Sequence, residues 1–533
     1  MAHAASPGES SANPDLSKPI DVKKLRKGWH ASPKEEYDYW VPDADIEGSV
    51  PLDLKGTFLR NGPGLLEVYG TKLKHPIDGD GMVVALTFIE GRVHLRAKFV
   101  ATKERLEEQR ERKLIYRGQM GTNPNSAVRD TAVLMKNFLT LSWPTLRFRN
   151  PSNTNVFYWG GKILTVYETK YPHCLDPHTL ETLGEETLNG ALTLKAFAAH
   201  FRLDMRNKRL VCFGVVPGVG SRKPSLAIYE FDDKWNLMQY QMHHIDGLNY
   251  AHDFLLLRDY YVFHMTPFAD MTFTAGLKVF AGLSSPGELM KYYSHMPSRF
   301  VVIPRHKGAA HQDIKLLNTE PCHIFHFGNA VQKDNDTITF NAVCLGPKFN
   351  MTFEREMWLS NASVAPGNMY KFTLDLSKST CVRSKDPADP ANVEYPTVHP
   401  YRHGLSTSRY SYLMSSDRTG YKLPYRDVVK HDLKGGTRQV WYSQGCVGEP
   451  VFVPRLGWAS IDLGDDDDGY VVVQLYIPEK HITEFAVLDA KHVDQGPLAR
   501  IKLKHHILYG FHGTSTPEVF VGDSHVPKAS AKL

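Results

Sequence analysis

The sequence predicts an all-β protein closed on itself, as a sandwich, barrel or propeller. Three observations predict it. Short apolar runs of strand length recur along nearly the whole chain, many of them in pairs joined by two- or three-residue turn signals, and helical periodicity is confined to a few stretches. In order, runs 83–88 and 93–100 flank Glu90-Gly91-Arg92, and runs 156–159 and 163–167 flank Gly160-Gly161. Single runs follow at 210–215, 260–264, 337–344, 369–376 and 440–442. The last pair, 470–477 and 482–488, flanks Pro478-Glu479-Lys480. The main helical stretch is 101–114, charged and surface-like. No repeat of blade length is visible, so repetition does not select the propeller.

The chain has 533 residues, and no linker divides it. Residues 1–25, with Ser6-Pro7-Gly8-Glu9-Ser10-Ser11-Ala12-Asn13-Pro14 and little apolar material, read as a disordered tail, and 26–533 as a single domain. The 63 basic and 58 acidic residues nearly cancel, leaving +5. No Lys/Arg block is interleaved with aromatics, so nucleic acid is excluded as a partner. The six cysteines are scattered, with no Cys-x-x-Cys pair, which suits a reducing compartment. With no secretory signal and no apolar run of about 18 residues, the chain reads as cytoplasmic or plastid and not secreted. Segment 268–283 stands apart, with Phe268, Met271, Phe273, Leu277, Val279, Phe280 and Leu283 among small spacers. It reads either as core or as an amphipathic element resting peripherally on a membrane.

Among the 25 histidines, four occupy aromatic or glycine-flanked settings: His200 in Ala-Ala-His-Phe-Arg, His252 in Ala-His-Asp-Phe, His326 in Phe-His-Phe-Gly-Asn-Ala, and His512 in Gly-Phe-His-Gly-Thr. Each taken alone has a plain structural reading. Together they read as a metal set, because a neutral imidazole offers a lone pair near neutral pH. Their wide spacing rules out a local zinc clip, but a closed β fold can bring such positions to one axis. Metal-bound histidines donate their second ring N–H to an acceptor. Glu168, Glu394 and Glu449, each interrupting an apolar or aromatic setting, are the candidate acceptors, since an unpaired carboxylate there is costly.

Beyond these residues, the chain carries Leu54-Lys55-Gly56-Thr57-Phe58-Leu59-Arg60-Asn61-Gly62-Pro63-Gly64, Asp78-Gly79-Asp80-Gly81-Met82 and Asn153-Thr154-Asn155. Leu180-Glu181-Thr182, Glu449-Pro450-Val451-Phe452-Val453-Pro454 and Tyr509-Gly510-Phe511-His512-Gly513 follow. In this order the motifs resemble those of the carotenoid cleavage oxygenase family, which also holds retinoid isomerohydrolases and stilbene-cleaving dioxygenases. The resemblance spans roughly residues 40–515. It implies a seven-bladed β-propeller with a small helical cap over the iron site. It implies one Fe(II) per chain on His200, His252, His326 and His512, the rings oriented by Glu168, Glu394 and Glu449. Thr154 matches a threonine that lines the oxygen site in some members.

The implied activity is cleavage by O2 of a conjugated C=C bond in a lipophilic polyene, a carotenoid or apocarotenoid, giving two carbonyl products. Stilbene cleavers carry a lysine just before the first glutamate. Here that position is Tyr167, and Lys170 is expected to point elsewhere. This favours a polyene over a phenolic stilbene. A stilbenoid cleaver and a retinoid-type isomerohydrolase remain alternatives, and a non-catalytic lipid- or partner-binding propeller is the remote one. The run Asp465–Asp468 lacks the spacing of a calcium loop and reads as a solvated hairpin tip.

Overall fold

The computed structural model describes residues 21–33, 35–124, 147–268, 272–306, 308, 311–346, 349, 366–385, 392–416 and 423–521. Seven antiparallel sheets of four to six strands follow one another around an axis as the blades of a β-propeller. Blades two to six are built from consecutive strands: 155–185, 201–244, 254–319, 323–385 and 393–442. Most of the strand runs read from the sequence are present within one or two residues, such as Arg209–Val216, and Gly469–Ile477 against Ile482–Asp489.

The ring closes by exchange between the chain ends. Blade one joins the N-terminal strand Gly56–Leu65 to the C-terminal strand Gly513–Thr516, with Arg60 opposite Gly513. Blade seven takes Ile46–Gly48 onto the edge of Pro497–Lys502. Two seams thus hold the circle shut, each a backbone ladder between residues more than 400 positions apart.

Between blades the core consists of strand residues alternating inward. Phe58, Leu86, Val93, Phe485 and Ile501 lie in one such layer, and Phe300, Phe340, Phe372 and Leu374 in another. Both are buried from water, and burial of side chains this size is worth about 1.5–3 kcal/mol each. The inner strands of neighbouring blades pack on one another. Residues at the start of each inner strand therefore converge on the axis.

Four helices are described: α1 (Val22–Lys27), α2 (Lys103–Glu111), α3 (Phe273–Phe280) and α4 (Pro286–Leu289). Helix α2 occupies the stretch read as helical. Helix α1 lies partly within the expected tail: Asp21 caps it and Leu25 packs on Cys446 and Tyr476. Residues 1–20 of that tail lie outside the described residues. Within 268–283, residues 269–271 also lie outside; Phe268 is buried in a cluster with Leu345 and Phe349, and Phe273–Phe280 form helix α3, which buries no residue. Phe273, Leu277 and Leu283 are 67%, 49% and 58% exposed.

One expectation is corrected. Asp466 and Asp467 are buried, not solvated, because Asp467 pairs with Lys430 at 2.5 Å and Asp466 accepts the backbone N–H groups of Arg409 and Tyr410. Charge runs read as solvated when the partner strand is distant in sequence.

Candidate metal centre

Going round the ring, each inner strand delivers one residue of the site at or near its start. These are Thr154 before Asn155–Trp159, His200 before Phe201–Asp204, and His252 before Phe254–Leu256. His326 lies within His323–Gln332, on a bulge between Ile324 and Phe327 that turns its ring to the axis. Glu394 lies within Val393–Thr397, Glu449 before Val451–Pro454, and His512 before Gly513–Thr516. Glu168 comes from a second strand, just past Lys162–Val166.

The four imidazoles meet. All four are buried, and one ring nitrogen from each lies within 4.8 Å of the others. Nε2 of His252 is 3.1 Å from Nε2 of both His200 and His326, and Nε2 of His326 is 3.2 Å from that of His512. On the far side of three rings stand the three glutamates. His252 Nδ1 bonds Glu168 Oε1, His326 Nδ1 lies 2.6 Å from Glu394 Oε2, and His512 Nδ1 lies 2.9 Å from Glu449 Oε1. A carboxylate accepts only, so each Nδ1 carries the proton and each Nε2 presents its lone pair inward. Lone pairs aimed at one another across about 3 Å repel unless a cation sits between them, which is the fit expected of a divalent metal site.

Electrostatics favour the neutral form at two of the rings. Burial and the neighbouring imidazoles push His200 and His512 well below the usual histidine range. Burial lowers His252 too, but the Glu168 carboxylate outweighs it and the net shift is upward. Burial raises Glu449 to about 7, against the pull of Arg60.

Thr154 stands beside His512: its carbonyl accepts the His512 N–H at 3.2 Å, and its hydroxyl donates to Asn153 Oδ1 at 3.0 Å. Tyr167 is buried, and Lys170 sits among Lys103, Glu104 and Glu185, away from Glu168. Residues 168–170 form a turn beyond Lys162–Val166, and the turn carries Lys170 off the strand.

Several residues carry roles that sequence reading did not assign. Fully buried Arg60 donates to the carbonyls of Glu449 (3.1 Å), Gly510 (2.9 Å) and Phe511 (3.0 Å), tying a glutamate strand to the His512 loop. A Cβ on Gly510 would meet Arg60 Nε at 2.4 Å, so only glycine fits. Asn61 holds the same loop, exchanging backbone bonds with Phe511 and His512. His200 has no glutamate; its Nδ1 faces Asp253 at 3.8 Å, and Asp253 is committed to Arg202. Tyr250 Oη is 3.2 Å from His252 Nδ1. Tyr395 packs on His326 and His512, with ring centroids at 4.8 and 5.0 Å.

Two spaces are relevant. A cavity of about 160 Å³ opens on the axis, touching His200, His326 and His512. Beside His252, an aromatic layer runs through Phe325 and His323 to Phe349 and Phe268, packed against Met290 and Tyr292. A larger pocket of about 930 Å³ lies among charged residues that include Arg402, Lys430 and Asp466, and none of the four histidines lines it.

Comparison with known proteins follows the same lines. The chain is 33% identical to apocarotenoid-15,15'-oxygenase of Synechocystis over 513 residues, covering 94% of this chain and 99% of the relative. It is 25% identical to isoeugenol monooxygenase of Pseudomonas nitroreducens, covering 89% and 94%. The crystal structure of cobalt-substituted Synechocystis ACO superposes with a TM-score of 0.81 at 32% identity, over 93% of this chain and 99% of that one. The sequence model of the retinal pigment epithelial membrane protein family matches residues 30–517. With a matching propeller around four buried histidines, the chain belongs to that family of carotenoid oxygenases.

Proposed function

We propose that the protein is a non-haem iron(II) dioxygenase that cleaves a conjugated C=C bond of an apocarotenoid or carotenoid with O2, yielding two carbonyl products. The observation that carries this reading is the inward set of four imidazoles backed by three carboxylates. Likeness to an apocarotenoid oxygenase over 94% of the chain supports the substrate class.

His200, His252, His326 and His512 are the residues that would hold the ion. Ferrous iron, when bound, supplies the activation of O2 against an electron-rich alkene. Four neutral donors leave the charge of the ion uncancelled. Glu168, Glu394 and Glu449 lock the tautomers and aim the rings. Thr154, whose carbonyl holds the His512 N–H, would line the oxygen side of the site. Phe325, Tyr250 and Tyr395 wall the site with aromatic faces that exclude water and align a polyene. Tyr167 in place of a lysine argues against a stilbenoid substrate, since the residue before Glu168 carries no charge to engage a phenol.

Helix α3 is the proposed membrane contact. Arg117 donates to the carbonyls of Val279 (2.8 Å) and Ser284 (2.6 Å), pinning the C-terminal end of the helix to the body while its apolar face stays outward. Among the described residues no helix is long and apolar enough to cross a bilayer. The reading is therefore contact within one leaflet.

The test is incubation of iron-loaded protein with an apocarotenal under air or argon, with products read by mass spectrometry. Two shorter carbonyl products requiring both iron and O2 establish the reaction. Intact substrate with one iron per chain overturns it. His252→Ala protein, which should retain less than one metal per chain after dialysis, gives the control.

A further inference from the structure

Three of the four imidazoles are backed by a carboxylate, and the fourth faces one that is engaged elsewhere. Nδ1 of His200 lies 3.8 Å from Asp253 Oδ1, too far for a hydrogen bond. That oxygen accepts instead from Arg202 Nη2 at 2.5 Å and from the backbone N–H of Phe254 at 2.8 Å. Asp253 Oδ2 accepts the N–H of Phe327 at 3.1 Å. Arg202 stands on the strand that follows His200, Asp253 comes directly after His252, and Phe327 directly after His326. The Arg202 guanidinium is held in turn, donating to the carbonyl of Phe201 at 3.0 Å and lying 5.6 Å from the centre of the Phe254 ring. The side chains of Arg202 and Asp253 are 14% and 2% exposed, so the pair is largely out of water. It sits among the segments that deliver three of the histidines, and it borders the axial cavity together with His200.

We propose that Arg202 is a positioning residue that withholds Asp253 from His200, so that the metal set keeps three carboxylate-backed rings and not four. The inference rests on the iron reading of the site. A carboxylate that accepts from Nδ1–H makes its ring a stronger donor at Nε2. Without one, His200 is the weakest donor of the four. Asp253 and Arg202 together add no net charge beside the site. Weak, neutral donation favours the ferrous over the ferric ion, the state that an iron(II) enzyme must keep in air.

With the guanidinium removed, Asp253 becomes a buried carboxylate that holds two backbone N–H groups and has lost its counter-charge. Its Oδ1 then has a lone pair to spare. A shift of about 1 Å brings that oxygen within bonding distance of His200 Nδ1. The cavity alongside leaves room for it. Two roles for the ion pair therefore differ in sign. A pair that only ties strands together would loosen the metal when broken. A pair that withholds a carboxylate tightens it.

The experiment loads the full-length chain with cobalt(II), for affinity and spectra, and with iron, for the midpoint potential. Arg202→Met should bind cobalt about tenfold more tightly than wild type, the size of effect expected of a partner to a metal-bound ring. The iron potential should fall by about 60 mV, a tenfold shift in the ratio of ferric to ferrous affinity. In the proton spectrum of the cobalt protein, a fourth histidine N–H should exchange slowly with solvent, beside the three held by glutamates. Adding Asp253→Asn to Arg202→Met should abolish all three changes. Arg202→Lys, which keeps the charge, should restore wild-type affinity and potential. Where Arg202→Met does not fold, Arg202→Gln, which also lacks the charge, should shift both in the same directions. Weaker or unchanged cobalt binding, a potential that rises or holds, or gains that persist without the Asp253 carboxylate overturns the proposal. These readings need no substrate, so they stand or fall apart from cleavage of an apocarotenal.

Discussion

Glu394 Oε2 accepts two hydrogen bonds at once, from His326 Nδ1 at 2.6 Å and from the backbone N–H of Tyr395 at 2.6 Å. The second bond is made with Tyr395 in the left-handed region, φ +54°, which costs a bulky residue of order 1–3 kcal/mol. Its other oxygen, Oε1, is buried without a partner. Glu394→Gln can keep both bonds with its amide oxygen and lose only the charge. Metal affinity should fall about 10-fold, with the melting temperature nearly unchanged, read by metal titration and calorimetry. Equal losses of both would show that the carboxylate is structural.

Glu449 should behave differently. Its two oxygens serve separate donors, His512 Nδ1–H and Gly513 N–H at 2.7 Å. In Glu449→Gln one of those donors must face an amide NH2. Loss of about 1–3 kcal/mol of stability is expected in addition to loss of metal, measured by urea unfolding beside the Glu394 variant.

Arg60→Ala removes three carbonyl partners and leaves Glu449 buried without its counter-charge. A penalty of about 3–5 kcal/mol follows, large enough to lower expression. Soluble variant protein with wild-type unfolding would show that the Arg60 contacts are dispensable.

Acid should destabilise the fold before it reaches the carboxylates. Burial lowers His75 and His399 to about 3 and His173 and His506 to about 4. Each stays neutral in the folded chain while its unfolded counterpart, with a value of 6.5, takes up a proton. Their contribution is complete above pH 6.5 and is lost as pH falls towards 4, about 1.4 kcal/mol each by pH 5.5. Melting temperature against pH should fall steeply across that window. His173→Gln should flatten the slope.

The membrane contact is tested on α3. Phe273→Ser with Leu277→Ser removes two exposed apolar side chains worth about 1.5–3 kcal/mol each if buried in lipid. Liposome partitioning should drop about 100-fold, with cleavage of detergent-solubilised substrate retained. Unchanged partitioning would assign contact to another face.

Much of this site is legible in the sequence because a propeller reads its axis once per blade. Each inner strand opens on one chemical residue, so short flanking motifs around His200, His252, His326 and His512 carry the geometry. Blade number was not legible by periodicity, since blades range from 155–185, about 30 residues, to 254–319, which encloses both cap helices. Arg60, Tyr250 and Asp253 were missed for a different reason. Their partners are set by folding, as with Arg60 and Glu449, 389 positions apart. Nothing local marks such a residue as part of a site.

His512 lies immediately before the strand that closes blade one against Leu59 and Arg60. During synthesis, therefore, the first 500 residues can form most blades yet offer only three of the four imidazoles. The ribosome must release the last stretch before the fourth arrives. A polypeptide cut short before His512 should fold most of its blades yet offer only three of the four rings, a ready target for quality-control proteases.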